Sequence, residues 1–362
     1  MRQLIARVAG LALLASGAVA CTGITLKAKD GSVLSGRTME WGSFDLQSRI
    51  IIVPRGLAVS AELSDGKPGM TWQTRYGVVG LDAVNKNIVV DGMNEQGLRV
   101  GLFYHPGFAQ YQAFDPAQAS VSLAPTDLGT YLLTTCANLD EARAAVGKVR
   151  VVPVVESSLG IVAPVHYVVT DREGHSIVIE YLGGQPRVFD APLGVITNAP
   201  TYDWHETNLR NYINLSPVAI PDRKIDDLDF RPLGGGSGMI GLPGDFTPPS
   251  RFVRAVAFSA TARPTSTGDE TRYEVFRILD NFNVPLGAAE AGGHEKTAGM
   301  RSATLWTTCF DTRKLVLYYH TMNNRRVREI DLTGIDFTGG PIRHLPLDKV
   351  KAEDIENVTP AR

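Results

Sequence analysis

The run Ala15-Ser16-Gly17-Ala18-Val19-Ala20-Cys21-Thr22-Gly23-Ile24 places the first of the chain's three cysteines directly behind Ala-Val-Ala. Upstream, Arg2 and Arg7 give a positive start and Val8 to Ala15 a short apolar run, with small residues at the third and first positions before Cys21. These are the marks of a secretory signal peptide with an A-x-A site, so residues 1–20 are expected to leave by a cut between Ala20 and Cys21. The apolar run falls short of the ~20 residues that span a bilayer as a helix, so no stable membrane span is expected. A lipoprotein signal, in which the cysteine is acylated and the chain becomes a tethered, non-catalytic envelope lipoprotein that binds a ligand, is the competing reading. Such signals usually carry Leu where this chain has Ala18. The expected product is periplasmic or secreted, and it begins with Cys21 bearing a free α-amine.

Removing residues 1–20 leaves 342 residues with 34 basic against 38 acidic side chains, a net charge of −4. The densest basic cluster, Arg325-Arg326-Val327-Arg328, reads as a solvated strand end, and nucleic acid is not an expected partner. At 44% hydrophobic residues the chain is long enough for one large domain or two smaller ones. Three cysteines cannot all pair internally. Cys136 and Cys309 form either a disulfide or two buried thiols.

From Cys21 the pattern is strand, turn, strand, with Asp30-Gly31 as the hairpin signal. Further strands are expected at 49–54, 76–84, 87–91 and 98–104, with a tight turn at Gly92 to Gly97 that includes Asn94. Helices follow at 126–137 and 139–146, then strands in RVVPVV, HYVVTD, SIVIEYL, PRVFD and GVITN. Helices at 207–215, 251–262 and 271–281 precede closing strands at 302–310, 314–320 and 327–332. Strands and helices in blocks, without strict βα alternation, predict an α+β fold of two antiparallel sheets with helices packed outside. The glycine-rich Gly234 to Gly238 lacks the Lys-Ser/Thr of a phosphate-binding loop and reads as an ordinary loop.

A terminal cysteine carries nucleophile and base in one residue. Its α-amine titrates near ~8 and its thiol near ~8.5, so at neutral pH the amine can take the thiol proton and later protonate a leaving amine. No histidine partner is needed, which suits a chain whose seven histidines form no obvious triad. No His or Cys spacing resembles a metal site, and no cofactor is expected.

Five ordered blocks carry a resemblance. They are Cys21-Thr22-Gly23-Ile24-Thr25; Gly36-Arg37-Thr38-Met39-Glu40-Trp41; Thr197 to His205; Leu209-Arg210-Asn211-Tyr212; and Leu242-Pro243-Gly244-Asp245 with Pro249 to Arg254. Together they resemble the choloylglycine hydrolase family of bile salt hydrolases and penicillin V acylases. The resemblance implies an N-terminal-nucleophile αββα sandwich forming a single domain over 21–362, and hydrolysis of a linear amide. It implies Cys21 as nucleophile, Arg37 as the cation that holds the sulfur as thiolate, and Glu40 as the acceptor that orients the α-amine. Many family members have Asp there, one methylene shorter.

By the same resemblance Asn198 is an oxyanion donor, and Arg251 buttresses both Cys21 and Asn198. A backbone N–H at Tyr104, or at Phe103 one residue earlier, is the second donor. Beside these motifs, Trp41, Phe103 and Tyr104, with Phe44, Phe108 and Trp204, suggest an apolar acyl pocket. The expected partner is therefore a small N-acyl amide. Bile salts, penicillin V and N-acyl homoserine lactones all fit that description, and members of the family are often homotetramers.

Overall fold

Lys29 to Ser32 makes the turn that the Asp30-Gly31 pair predicts. Gly31 sits at φ +85°, the left-handed region that glycine tolerates, and Asp30 Oδ1 accepts from the Ser32 N–H at 2.9 Å. The turn joins Thr22–Lys27 (β1) to Val33–Glu40 (β2) in a register that sets Gly23 opposite Arg37 and Thr22 opposite Thr38. The computed structural model describes residues 20–289, 297 and 299–360; the signal peptide expected over 1–20 lies, but for Ala20, outside the described residues.

β1 and β2 open a five-stranded antiparallel sheet that continues through Thr304–Asp311, Val316–Thr321 and Arg328–Asp331. The second sheet is also antiparallel and runs, edge to edge, Gln185–Asp190, Ser176–Leu182, Val165–Thr170, Arg99–Tyr104, Asp91–Asn94, Val78–Leu81, Arg49–Val53 and Arg343–Pro346. Helices Leu128–Thr135 (α1) and Leu139–Val146 (α2) cover the second sheet, and Pro248–Thr261 (α4) and Gly268–Leu279 (α5) cover the first. Tyr202–Leu209 (α3) packs beside α4. The layers are helix, sheet, sheet, helix, as expected for an αββα sandwich. No helix among the described residues is long and apolar enough to cross a membrane.

Every residue of β2 is buried because both of its faces are covered. Gly36 faces α5, where a Cβ would stand 2.9 Å from Val275 Cγ1 and 2.4 Å from the Thr308 carbonyl. The next residue, Arg37, turns to the other sheet. That inner layer also holds a buried ion pair, Arg99 to Asp91 at 2.7 Å, with Ser35 accepting from Arg99 and Thr308 donating to Asp91. Both terminal nitrogens of Arg99 and both oxygens of Asp91 are bonded in this way, which makes two buried charges tolerable between apolar sheets, while Arg99 Nε finds no partner among the described residues.

Several sequence expectations shift. The helix expected at 207–215 begins at Tyr202, where Thr201 takes the N-cap position and Asp203 the first turn. Gly92 and Asn94 belong to a strand rather than a turn, because Gly92 sits opposite Gly80 where two backbones come too close for a Cβ. Asn94 ends that strand by accepting from the N–H groups of Gln96 and Leu98 and donating to the carbonyls of Leu133 and Cys136, a structural role. The stretch GVITN makes only a single bridge, Ile196 to Gly23, and the hairpin Ala58–Glu62 with Pro68–Gln73 carries no alternation strong enough to read. Cys21, Cys136 and Cys309 are all buried and unpaired, so the two-thiol alternative holds.

Candidate active site

Cys21 immediately precedes β1, is 1% exposed, and stands 3.9 Å from Met39 Sδ across the hairpin. The β1/β2 register brings Arg37, sixteen residues on, to the same place. Its guanidinium donates to the carbonyls of Thr38 and Leu102, reaches Met39 Sδ at 3.7 Å, and lies 4.0 Å over the ring of Phe103. Among the described residues no carboxylate pairs with it, so its charge is free to act on the sulfur. Burial pushes the Cys21 thiol up, while Arg37 and Arg251 pull it down; in the chain with Ala20 still attached, burial wins.

Glu40 closes β2 opposite Thr304. One of its oxygens accepts from Thr38 Oγ1 at 3.0 Å and the other from Thr304 Oγ1 at 2.9 Å. Burial pushes its carboxyl up to about 7, against the pull of Arg251, the two threonine bonds and Arg37. The carboxylate of Glu40 is thus seated between two hydroxyls. The residue before Cys21, Ala20, packs into the same corner against Val284 and Ala303.

Arg251 enters from the first turn of α4. Pro248 starts that helix, and Asp245 accepts from Thr247 and Ser250, which sets the angle of entry. Its Nη1 donates to the carbonyl of Cys21 and to Thr22 Oγ1, Nε to the Phe246 carbonyl, and Nη2 to Asn198 Oδ1 at 2.7 Å. Asn198 Nδ2 in turn donates to the Tyr104 carbonyl at 2.7 Å, leaving the second hydrogen of that amide uncommitted. Cys21, Arg37, Trp41, Phe103 and Tyr104 all line one cavity of about 100 Å³, together with Met39, Leu46, Ile88, Val90 and Ala163. A buried thiol flanked by two guanidiniums, with an amide donor nearby and an apolar cavity at its side, is suited to attack on an acyl carbonyl.

The profile of the linear amide C–N hydrolases of the choloylglycine hydrolase type matches residues 21–341. The chain belongs to the choloylglycine hydrolase family. It is 32% identical over 333 residues to a bile salt hydrolase/transferase of Clostridium perfringens, covering 91% of this chain and 97% of that protein. It is 24% identical over 335 residues to a penicillin V acylase of Pectobacterium atrosepticum, covering 87% and 81%. Solved structures of two variants of the conjugated bile acid hydrolase from Clostridium perfringens superpose with TM-scores of 0.79 and 0.80 at 29% identity, over 94% of this chain and 100% of theirs. The protein is accordingly a hydrolase of linear amide C–N bonds with the N-terminal-nucleophile αββα fold.

Within this family framework, the eight residues singled out in the sequence all lie around Cys21 or its cavity. Phe103 lines the cavity as expected; it is 1% exposed and lays its face over Arg37. Of the other aromatics, Phe108 and Trp204 are exposed and stand away from the cavity wall. The hydroxyls of Thr22, Thr38 and Thr304 escaped the sequence reading, since a strand threonine carries no signal until register assigns its neighbours. So did a buried cluster behind Asn198 made of His105, His166, His205 and Glu180.

Proposed function

We propose that the chain is exported, that removal of residues 1–20 frees the α-amine of Cys21, and that Cys21 then hydrolyses an N-acyl amide with an apolar acyl group. The observation that carries this reading is that Cys21 is both the first residue of the family match and a wall of the apolar cavity, between Arg37 and Arg251. The two Clostridium perfringens variants replace a cysteine and an arginine sixteen residues apart, the separation of Cys21 and Arg37 here.

The α-amine takes the thiol proton, and the thiolate of Cys21 attacks the amide carbonyl. The tetrahedral oxyanion accepts from the free hydrogen of Asn198 Nδ2 and from a backbone N–H at Tyr104 or Phe103. One such donor supplies roughly 3 to 4 kcal/mol of transition-state stabilisation. Collapse breaks the C–N bond as the ammonium of Cys21 returns its proton to the departing amine. Water, deprotonated by the same amine, then attacks the thioester and releases the carboxylic acid and the thiol. Glu40, held by Thr38 and Thr304, accepts from the α-amine and keeps it beside the sulfur.

Intact mass of the protein recovered from the periplasm, together with turnover on a panel of acyl amides that includes conjugated bile salts, penicillin V and N-acyl homoserine lactones, tests this. The expected mass is that of residues 21–362 without a lipid, with turnover on at least one acyl amide and none in Cys21→Ala. A diacylglycerol adduct at Cys21, or full turnover in Cys21→Ala, would sink it.

The assembly proposed is a homotetramer. A hairpin of Arg223–Ile225 and Leu228–Phe230 exposes every one of its residues, including the apolar Ile225, Leu228 and Phe230, which neighbouring copies could cover. Light scattering on the size-excluded protein is expected to give four copies, and Leu228→Asp with Phe230→Asp to give fewer; a wild-type monomer would refute it.

A further inference from the structure

Three histidines that take no part in the proposed chemistry meet at the loop that carries Asn198. His166 lies on the strand Val165–Thr170, His105 directly follows Arg99–Tyr104, and His205 belongs to α3. Each presents Nε2 to a loop carbonyl: His166 to Thr197 at 3.1 Å, His205 to Asn198 at 2.9 Å, and His105 to Pro200 at 3.2 Å. A carbonyl can only accept, so all three rings carry a proton on Nε2. Among the described residues, Nδ1 of His105 and Nδ1 of His205 have no partner, as suits neutral rings.

His166 is different because both of its nitrogens are engaged. Its Nδ1 lies 3.0 Å from Glu180 Oε1, so with Nε2 already protonated one proton must sit between ring and carboxyl. Burial pushes Glu180 up and His166 down, and Arg37 further disfavours a charged His166, so the proton belongs to Glu180 and the pair is neutral. The same Oε1 accepts from the Tyr202 N–H at 3.1 Å, which ties the start of α3 to this carboxyl.

A metal ion is the competing occupant, since ligand atoms of His105, His166 and Glu180 lie within 4.8 Å of one another. The rings of His105 and His166, however, are stacked 4.2 Å apart and 2° from parallel. Imidazole lone pairs lie in the ring plane, so two stacked rings cannot aim at one ion.

We infer that His105, His166 and His205, with Glu180 fixing the tautomer of His166, form a positioning cluster that holds the Asn198 backbone so that its amide stays aimed as an oxyanion donor. The inference rests on the proposed role of Asn198. Arg251 and Tyr104 fix the side chain from the front, and the three imidazoles fix the carbonyls on either side of it from behind. Catalytic geometry is unforgiving on this scale: a 1 Å misplacement can cost about 10²-fold in rate.

The test uses the mature full chain and the best acyl amide of the panel. Variants His166→Leu, His205→Leu, His205→Gln and Glu180→Gln are measured alone and combined with Asn198→Ala. The leucine variants are expected to lower kcat by roughly 10-fold to 100-fold, with KM within about 3-fold of wild type and an unchanged rate of Cys21 alkylation by iodoacetamide. Glutamine at 205 offers an amide N–H to the Asn198 carbonyl, and glutamine at 180 a neutral donor to His166, so both should restore most of kcat. In the Asn198→Ala background the leucine substitutions should cost nothing further. Leucine variants that lower kcat equally in both backgrounds, or that slow alkylation in step with kcat, overturn the cluster. Wild-type kcat in Asn198→Ala alone overturns the oxyanion reading itself, a distinct result. Should His166→Leu fail to fold, His205→Leu and its glutamine rescue carry the same comparison.

Discussion

Arg251 Nη2 donates to Asn198 Oδ1 at 2.7 Å, and this single bond decides which end of the Asn198 amide can donate. With Oδ1 engaged by a cation, Nδ2 must point the other way, toward the Tyr104 carbonyl and the proposed oxyanion. The same guanidinium holds the Cys21 carbonyl, so the proposed nucleophile and the proposed donor are referenced to one rigid fork.

Lysine cannot reproduce a fork that reaches four acceptors in two directions. Arg251→Lys is therefore expected to lower kcat by roughly 10-fold or more, a part of what losing a whole oxyanion donor costs, with little change in KM. Steady-state kinetics check this, and an unchanged kcat would detach Arg251 from the site.

Arg37 lowers the thiol of Cys21 against the effect of burial. Replacing it by leucine removes the opposite charge, so the midpoint of Cys21 alkylation against pH should move up by about 1 unit or more. Mass spectrometry that locates the adduct on Cys21, rather than Cys136 or Cys309, provides the measurement. A downward shift would contradict the assignment.

Glu40 in the uncleaved chain titrates near 7, above the ordinary carboxyl value of ~4.3. The native state therefore holds a proton that the unfolded chain releases, and this group's contribution to stability is complete below the unfolded value and lost as pH rises through 7. Glu180, also pushed up to about 7, adds a slope of the same sign. Melting temperatures of the uncleaved protein at pH 5 and pH 7.5 should fall with rising pH, and less steeply in Glu40→Gln. An equal slope in both proteins would show that Glu40 is ionised across the range.

Ala163 lines the cavity beside Cys21 and is itself buried. Ala163→Phe should fill part of the space and reduce kcat/KM for long acyl chains by about 10-fold or more relative to a short one. Equal loss on both chain lengths would indicate a general packing defect, which overpacking by a large ring can also produce.

Much of this was legible in the chain itself. The Asp30-Gly31 hairpin is local chemistry, and so are the blocks around Arg37, Asn198 and Arg251. Alternation and turn residues sufficed for most of the strands. They failed where neighbours rather than local preference decide: Gly92 reads as a turn until Gly80 is seen opposite it, and GVITN reads as a strand although only Ile196 finds a partner.

The sequence by itself determined which residues were available: a cysteine behind Ala-Val-Ala, two arginines, a glutamate, an asparagine, and the patterns of two antiparallel sheets. Tertiary structure alone decided what they meet. Register across β1 and β2 puts Arg37 beside Cys21, pairing with Thr304–Asp311 seats Glu40 between two hydroxyls, and α4 returns Arg251 from 230 positions away to the Cys21 carbonyl. Three histidines spread over a hundred residues converge behind Asn198 for the same reason. Contacts between distant segments are set by the packing of two sheets, and no local propensity encodes that packing.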